Sequence, residues 1–264
     1  MQEIEANKKA WRLLSKDHYE TFGQRLREKR TLLSGIIQRE LGDVAGKTLI
    51  HLQCNTGADT LSLARMGASV TGVDLVADNI RYARQLAQDL GISGTTFIVS
   101  DLMEFMESHD RKYDIVFTSE GVIGWLPDLT KWGTTVRHLL KDDGIFYVMD
   151  LHPFYLMFDE DKLTKKELSI KYPYFVKKPD KDDTIGGYAA ERREGENYYW
   201  MYTVSEVINA LLAAGLTLEF FNEFDTSFFD IGGMQELSQS CFCYPDFRDK
   251  MPFSFSLKAT VRKE

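Results

Sequence analysis

From Thr48 to Leu151 the chain alternates short apolar, strand-forming runs with amphipathic helical segments, and that alternation leaves few folds open. The strand-like runs are Thr48 to Gln53, Ser69 to Asp74, Thr95 to Ser100, Tyr113 to Ser119 and Gly144 to Leu151. Between the first two, Gly57 opens a helix that reaches Met66. Asp78 is placed to cap the next helix, whose apolar stripe is Ile80, Ala83, Ala87 and Leu90 and which stops at Gly91. Leu129, Trp132, Val136 and Leu139 share one face of another helix. Strands joined through helices run parallel, and a parallel sheet must be covered on both faces.

The flanks complete this frame. Residues 1–45 read as two polar helices forming a lid: Trp11, Leu14 and His18/Tyr19 sit at helical spacing, and Gln24 to Leu41 is rich in helix formers. Residues 46–151 are the core, and 152–202 are an aromatic, charged insertion after strand five, placed to cap a substrate. Thr203-Val-Ser-Glu206 is a capping box, and its helix buries Val207, Ile208, Leu211 and Leu212 before Gly215. Leu216–Phe224 is a sixth strand. In the last strand Phe253, Phe255, Leu257, Ala259 and Val261 alternate with polar residues, and no helix follows, so it pairs antiparallel. The expectation is an α/β fold: a seven-stranded, mostly parallel, doubly wound sheet with an antiparallel last strand. Residues 203–264 complete the sheet.

Composition narrows the partners. A net charge of −8 disfavours a nucleic-acid substrate, because a phosphate backbone calls for a basic surface. No apolar run spans a bilayer, so no membrane partner is expected. The first residues, MQEIEANKKAWRLL, do not read as a signal peptide. Three cysteines, Cys54, Cys241 and Cys243, do not form a disulfide framework and suit a reducing, cytoplasmic setting. Cys241-Phe-Cys243 is too close and isolated for a metal site, so buried packing is expected, and no metal. The oligomeric state is left open.

In an open parallel sheet, ligands lie beyond the carboxyl ends of the strands, where the strand order reverses. Four strand ends carry chemistry here. His51-Leu-Gln-Cys-Asn-Thr-Gly57 turns sharply into a helix and frees backbone N–H groups. Asp74 closes strand two, about 17 residues past Gly57, where a carboxylate accepts from ribose hydroxyls. Ser100-Asp101-Leu102 offers a carboxylate to an adenine amino group, and Asp101 equally suits the cap of the short helix Leu102–Met106. Ser119-Glu120-Gly121 borders the same cleft.

Taken in order, these segments resemble the core of a class I methyltransferase dependent on S-adenosylmethionine (SAM). Leu49 to Gly57 is similar to that family's glycine-rich motif, and Val70-Thr-Gly-Val-Asp74 to the segment ending in the ribose-binding acid. Phe97 to Leu102 resembles the adenine segment, Tyr113 to Glu120 the fourth-strand motif, and Leu140 to Phe146 the turn into strand five. The resemblance implies SAM as cofactor, held by His51, Gln53, Asn55, Gly57, Asp74 with Leu75, Asp101, Leu102, Ser119 and Glu120, and closed over by Trp11 and Tyr19. The first motif departs from the family. An acid is usual at position 51 and glycines at 53 and 55, where this chain has His51, Gln53 and Asn55. The acid helps to hold the ammonium end of SAM, which a neutral histidine cannot do electrostatically.

Methyl transfer from a sulfonium needs alignment and exclusion of water more than acid–base chemistry. Glu120, His152 and Tyr155 are the candidates should an acceptor need deprotonation. The Asn/Asp-Pro-Pro-Tyr pattern of exocyclic-amine methyltransferases on DNA or protein and the Pro-Cys nucleophile for cytosine C5 are absent, which favours a small-molecule acceptor. Trp125 and the dense aromatics of the insertion fit either a ligand cover or a small β-addition with its own core. Two rival readings stand beside this one. A nicotinamide-dependent oxidoreductase needs a G-x-G-x-x-G turn that Gln53 to Ala58 lacks. A non-catalytic protein on the same fold would explain the substituted first motif.

Overall fold

A computed structural model of the chain describes residues 1–263. Five strands of its central sheet run parallel: β1 (Thr48–Leu52), β2 (Ser69–Asp74), β3 (Thr96–Val99), β4 (Tyr113–Ser119) and β5 (Leu140–Leu151). Helices α3 (Ala58–Arg65), α4 (Ala77–Asp89) and α5 (Leu129–Leu139) provide the crossovers. The chain winds from β1 outward to β3, then returns to place β4 on the other side of β1. Between β1 and β4, therefore, the strand order reverses.

The insertion forms a short helix α6 (Glu160–Leu163) and a hairpin of β6 (Asp180–Ile185) and β7 (Arg193–Tyr199). After α7 (Val204–Ala213), β8 (Leu216–Phe224) takes the sheet edge. A small hairpin, β9 (Gln235–Ser238) with β10 (Cys241–Cys243), precedes β11 (Ser254–Val261). β11 inserts antiparallel between β5 and β8, giving the seven-stranded order β3-β2-β1-β4-β5-β11-β8. The α/β sheet with its antiparallel last strand is thus present as the patterning predicts. Strand five starts four residues earlier than expected, at Leu140, and the β9–β10 hairpin has no counterpart in the sequence pattern.

Both sheet faces are covered. On one, Trp132, Val136 and Leu139 of α5 pack with Val207 and Leu211 of α7 onto Ile50, Leu52, Val116, Val148 and Leu257. Full burial of side chains of this size is worth about 1.5–3 kcal/mol each. On the other, Leu49, Phe117, Tyr147 and Met149 meet Ile37 and Leu41. The capping box of α7 is complete: Thr203 and Glu206 satisfy one another's backbone N–H groups.

The N-terminal region differs from its expected division. α1 runs unbroken from Gln2 to Glu28, and α2 is confined to Gly35–Leu41, capped by Ser34 rather than starting near Gln24. α1 lies across the strand ends between α4 and β7. Asn7 offers its side-chain amide to β7 like a strand edge: Oδ1 accepts from Tyr198 N at 2.6 Å and Nδ2 donates to Tyr198 O at 2.8 Å. Asp78 is not the cap of α4. The helix begins one residue before it, and Asp78 pairs with Arg12 of α1 and with Arg81. Cys243 is buried and Cys241 half-buried, and all three cysteines are free.

Candidate active site

The turn after β1 keeps a glycine-like backbone without most of its glycines. Gln53, Asn55 and Gly57 have φ of +57°, +49° and +79°, in the left-handed region that glycine enters at least cost. Asn is the non-glycine residue that tolerates it best; Gln53 holds it under strain, a pattern that clusters at functional sites. Gly57 is required twice over, because a Cβ there would also stand 2.9 Å from the Ala83 Cβ and 3.0 Å from the Phe97 ring. Opposite this turn, Glu120 and Gly121 leave β4 with φ of +64° and +83°.

Asp74 ties the turn to β2. Its Oδ2 accepts from Asn55 N at 2.8 Å, and its Oδ1 from Val76 N at 2.8 Å and Asn79 Nδ2 at 3.1 Å. Burial raises its pKa, and the three donors oppose the rise. A carboxylate has about four acceptor directions, so three are engaged by the chain and one, on Oδ2, is left.

His51 is buried. Its Nδ1 lies 2.8 Å from Thr60 Oγ1 and its Nε2 3.2 Å from Ser119 Oγ. Desolvation holds the ring neutral, with a pKa pushed down to about 3. Ser119 also donates to Asp59 Oδ2 at 3.1 Å. Gln53 Nε2 donates to Val122 O at 3.0 Å, but its Oε1 is buried without a partner, as is Thr56 Oγ1.

Helix α1 contributes His18. Asn55 Oδ1 accepts from Thr56 N at 2.7 Å, and of the two amide atoms Nδ2 lies nearer His18 Nδ1, at 3.0 Å against 3.3 Å for Oδ1, and donates to it. The proton of His18 then sits on Nε2, which is buried with no partner. Burial pushes its pKa down to about 4. Next to it Ser15 Oγ donates to Asn79 Oδ1 at 2.6 Å. Trp11 meets Trp125 and His18 edge-on, at 5.1 and 5.9 Å between centroids, and His18 meets Tyr188 at 5.2 Å. An aromatic wall thus runs along one side of the strand ends.

Asp59, Glu120 and Tyr199 are half-buried and Tyr188 is 42% exposed, so each keeps free surface at the cleft beyond the strand ends. Burial raises Asp59 to about 6 and Glu120 well above the ordinary carboxylate range, and the charges of Asp59 and Asp150 add to the rise at Glu120. No donor among the described residues reaches the Glu120 carboxylate. Asp150, raised by burial to about 6, accepts from the N–H groups of Val122, Ile123 and Leu151 and so anchors the turn after β4.

The structure gathers His51, Gln53, Asn55, Gly57, Asp74, Ser119, Glu120 and Trp11 around the β1/β4 reversal. Leu75, half-buried, follows Asp74. Asp101 lies at the end of β3, its Oδ1 capping the next turn through Met103 N at 2.8 Å, and the Leu102 side chain is buried in the core. Three expected residues are elsewhere. Tyr19 points about 100° around α1 from His18, stacks on Tyr82 at 4.9 Å and donates to Asp89 of α4. Tyr155 is buried against Phe253 and donates to Glu160 at 2.9 Å. His152 accepts from Phe154 N at Nδ1, and its Nε2 is 2.9 Å from Glu223 Oε1 of β8, on the side of β5 that β11 occupies. His18, Asp59 and Tyr188 carry no motif. His18 is legible only through its helical spacing from Trp11 and Leu14, and Asp59 only as an acid in the first turn of the helix that Gly57 opens.

A family model described as a methyltransferase domain matches residues 43–203. Ubiquinone biosynthesis O-methyltransferases are similar over a shorter stretch. The one from Actinobacillus pleuropneumoniae is 27% identical over 115 residues, 42% of this chain and 48% of the relative. The one from Serratia proteamaculans is 33% identical over 116 residues, 42% of this chain and 45% of the relative. The chain thus spans about half the length of the curated relatives it matches. In three dimensions it resembles a putative S-adenosylmethionine-dependent methyltransferase from Listeria monocytogenes, with a TM-score of 0.60 at 19% identity, over 86% of this chain and 96% of the other.

Proposed function

This chain belongs to the methyltransferase-domain family, and from that premise we propose that it methylates a small-molecule hydroxyl with SAM as the donor. The observation that carries the reading is the set of unpartnered buried polar atoms around the β1 turn: His18 Nε2, Gln53 Oε1 and Thr56 Oγ1. Buried polar atoms without partners cost about 1–3 kcal/mol each, and a polar ligand lying across the strand ends removes that cost. The residues fit a nucleoside with an amino-acid arm. Asp74 has one acceptor direction left for a sugar hydroxyl and Asp101 a free oxygen for the base. His18 offers a donor, and Gln53 and Thr56 offer acceptors.

When bound, SAM supplies an electrophilic methyl group on a sulfonium. The chain's share is to orient the acceptor, exclude water and take a proton. Exclusion falls to α1 and the 188 loop, which roof the cleft through Trp11, His18 and Tyr188. Glu120 is the carboxylate placed to take the proton: it lines the cleft, no donor of the chain holds it, and its raised pKa makes it a stronger base than an exposed carboxylate. A hydroxyl acceptor agrees with the names of the relatives, which are O-methyltransferases. Among the described residues no helix is long and apolar enough to cross a membrane. Three free cysteines fit a reducing compartment, where we place the reaction.

Titration calorimetry with SAM, its demethylated product S-adenosylhomocysteine and NAD tests the cofactor. SAM binding without NAD binding supports the reading, and NAD binding alone overturns it. Methyl transfer from labelled SAM to a panel of phenols, alcohols, amines and thiols then tests the acceptor. Transfer to amines alone would remove the hydroxyl assignment.

A further inference from the structure

The residue that ought to hold the cofactor's ammonium is missing from β1, because His51 stands where an acid is usual. The side chain at that position does not face the cleft with free valences. Both its ring nitrogens are used, by Thr60 and Ser119, and the ring is 3% exposed. The direction of the hydrogen bonds shows what it does instead. Ser119 has one proton and gives it to Asp59. It therefore receives from His51 Nε2–H, and His51 Nδ1 accepts from the Thr60 hydroxyl. The imidazole is a neutral prop, and the chain of bonds it starts ends on a carboxylate.

That carboxylate comes from the first turn of α3, two residues past Gly57, and is half-buried beside Ser119 at the end of β4, with part of its surface free. Among the described residues no lysine or arginine pairs with it, and the Ser119 hydroxyl is the donor that orients it. We propose that Asp59 receives the α-ammonium of the cofactor's amino-acid arm, the acid having moved from the strand to the helix while His51 and Ser119 hold it in place. This rests on the cofactor reading above. The ligand class is a nucleoside carrying a cationic amino-acid arm. The two other carboxylates nearby are less suited: Asp150 spends its oxygens on three backbone N–H groups, and no donor fixes Glu120.

The test separates the arm from the nucleoside. S-adenosylhomocysteine carries the ammonium, and 5′-methylthioadenosine is the same nucleoside without the amino-acid arm. Calorimetry on the intact chain should show that Asp59→Asn weakens the first by about tenfold or more, the loss of a charge-assisted contact, and leaves the second unchanged. Ser119→Ala should weaken the first in the same direction by less. The 5′-methylthioadenosine arm also reports that the variants are folded. An equal loss for both ligands in Asp59→Asn, or full discrimination retained in that variant and lost in Glu120→Gln, overturns the assignment alone. Wild-type protein that binds neither nucleoside overturns the cofactor reading together with it.

Discussion

Asparagine in place of Asp59 should stabilise the ligand-free protein at pH 8, by less at pH 5, and leave it no more stable below about pH 4. Burial raises the Asp59 carboxyl from 3.8 to about 6 with no cation beside it. A shift of about two units corresponds to about 3 kcal/mol at about 1.4 kcal/mol per unit. The side chain keeps some contact with the cleft's water, so about 1–2 kcal/mol is the expected share. The folded-state pKa lies above the unfolded one, so between pH 4 and 6 the folded chain binds the proton more readily. Stability from this group is therefore greatest below about pH 4, falls as pH rises to about 6, and carries the full penalty above that. Asparagine still accepts from Ser119 and carries no charge. Thermal melts of both proteins from pH 4 to 8 should show the variant about 2–6 °C higher at pH 8, with the gap about halved at pH 5 and closing toward pH 4. His51 and His18, both pushed down by burial, lose stability in the opposite sense as pH falls, but they are present in both proteins and cancel in the difference. A difference independent of pH would refute the reasoning, since it would mean that Asp59 carries no buried, unpaired charge.

Other substitutions report on other parts of the site. Asp74→Ala strands the donors of Asn55, Val76 and Asn79, and should lower stability by about 2–4 kcal/mol in urea titration besides weakening SAM; unchanged stability would contradict the hydrogen bonds described. Gly57→Ala meets both a left-handed φ and the Ala83 and Phe97 contacts, and should lose about 2–4 kcal/mol by the same measure. Glu120→Gln should lower turnover about a hundredfold or more with SAM affinity kept; an equal drop in affinity would make Glu120 a cofactor ligand instead. Trp11→Ala should weaken SAM binding, measured by calorimetry, whereas Tyr19→Phe should not, because the two rings face different neighbours.

The sheet was readable from the sequence because its determinants are local. β-branched runs, capping residues and helix-stopping glycines act within a few residues of themselves, and the capping box at Thr203 and the strand ending at Asp74 lie where those rules put them. The closed turn at Gly57 and the antiparallel last strand were equally local inferences. Tertiary packing decided which polar groups meet. The one-residue step from Tyr19 to His18, about 100° on a helix, determines which ring faces the cleft, and the phase of α1 is set by its packing between α4 and β7. His152 follows β5 directly in sequence, yet β11 beside that strand leaves it facing Glu223 of β8. No spacing rule relates His51 to Ser119, 68 residues away, or shows that their hydrogen bonds end on Asp59. Such a network forms only when parallel strands set their ends side by side, and residue order carries no direct record of that adjacency.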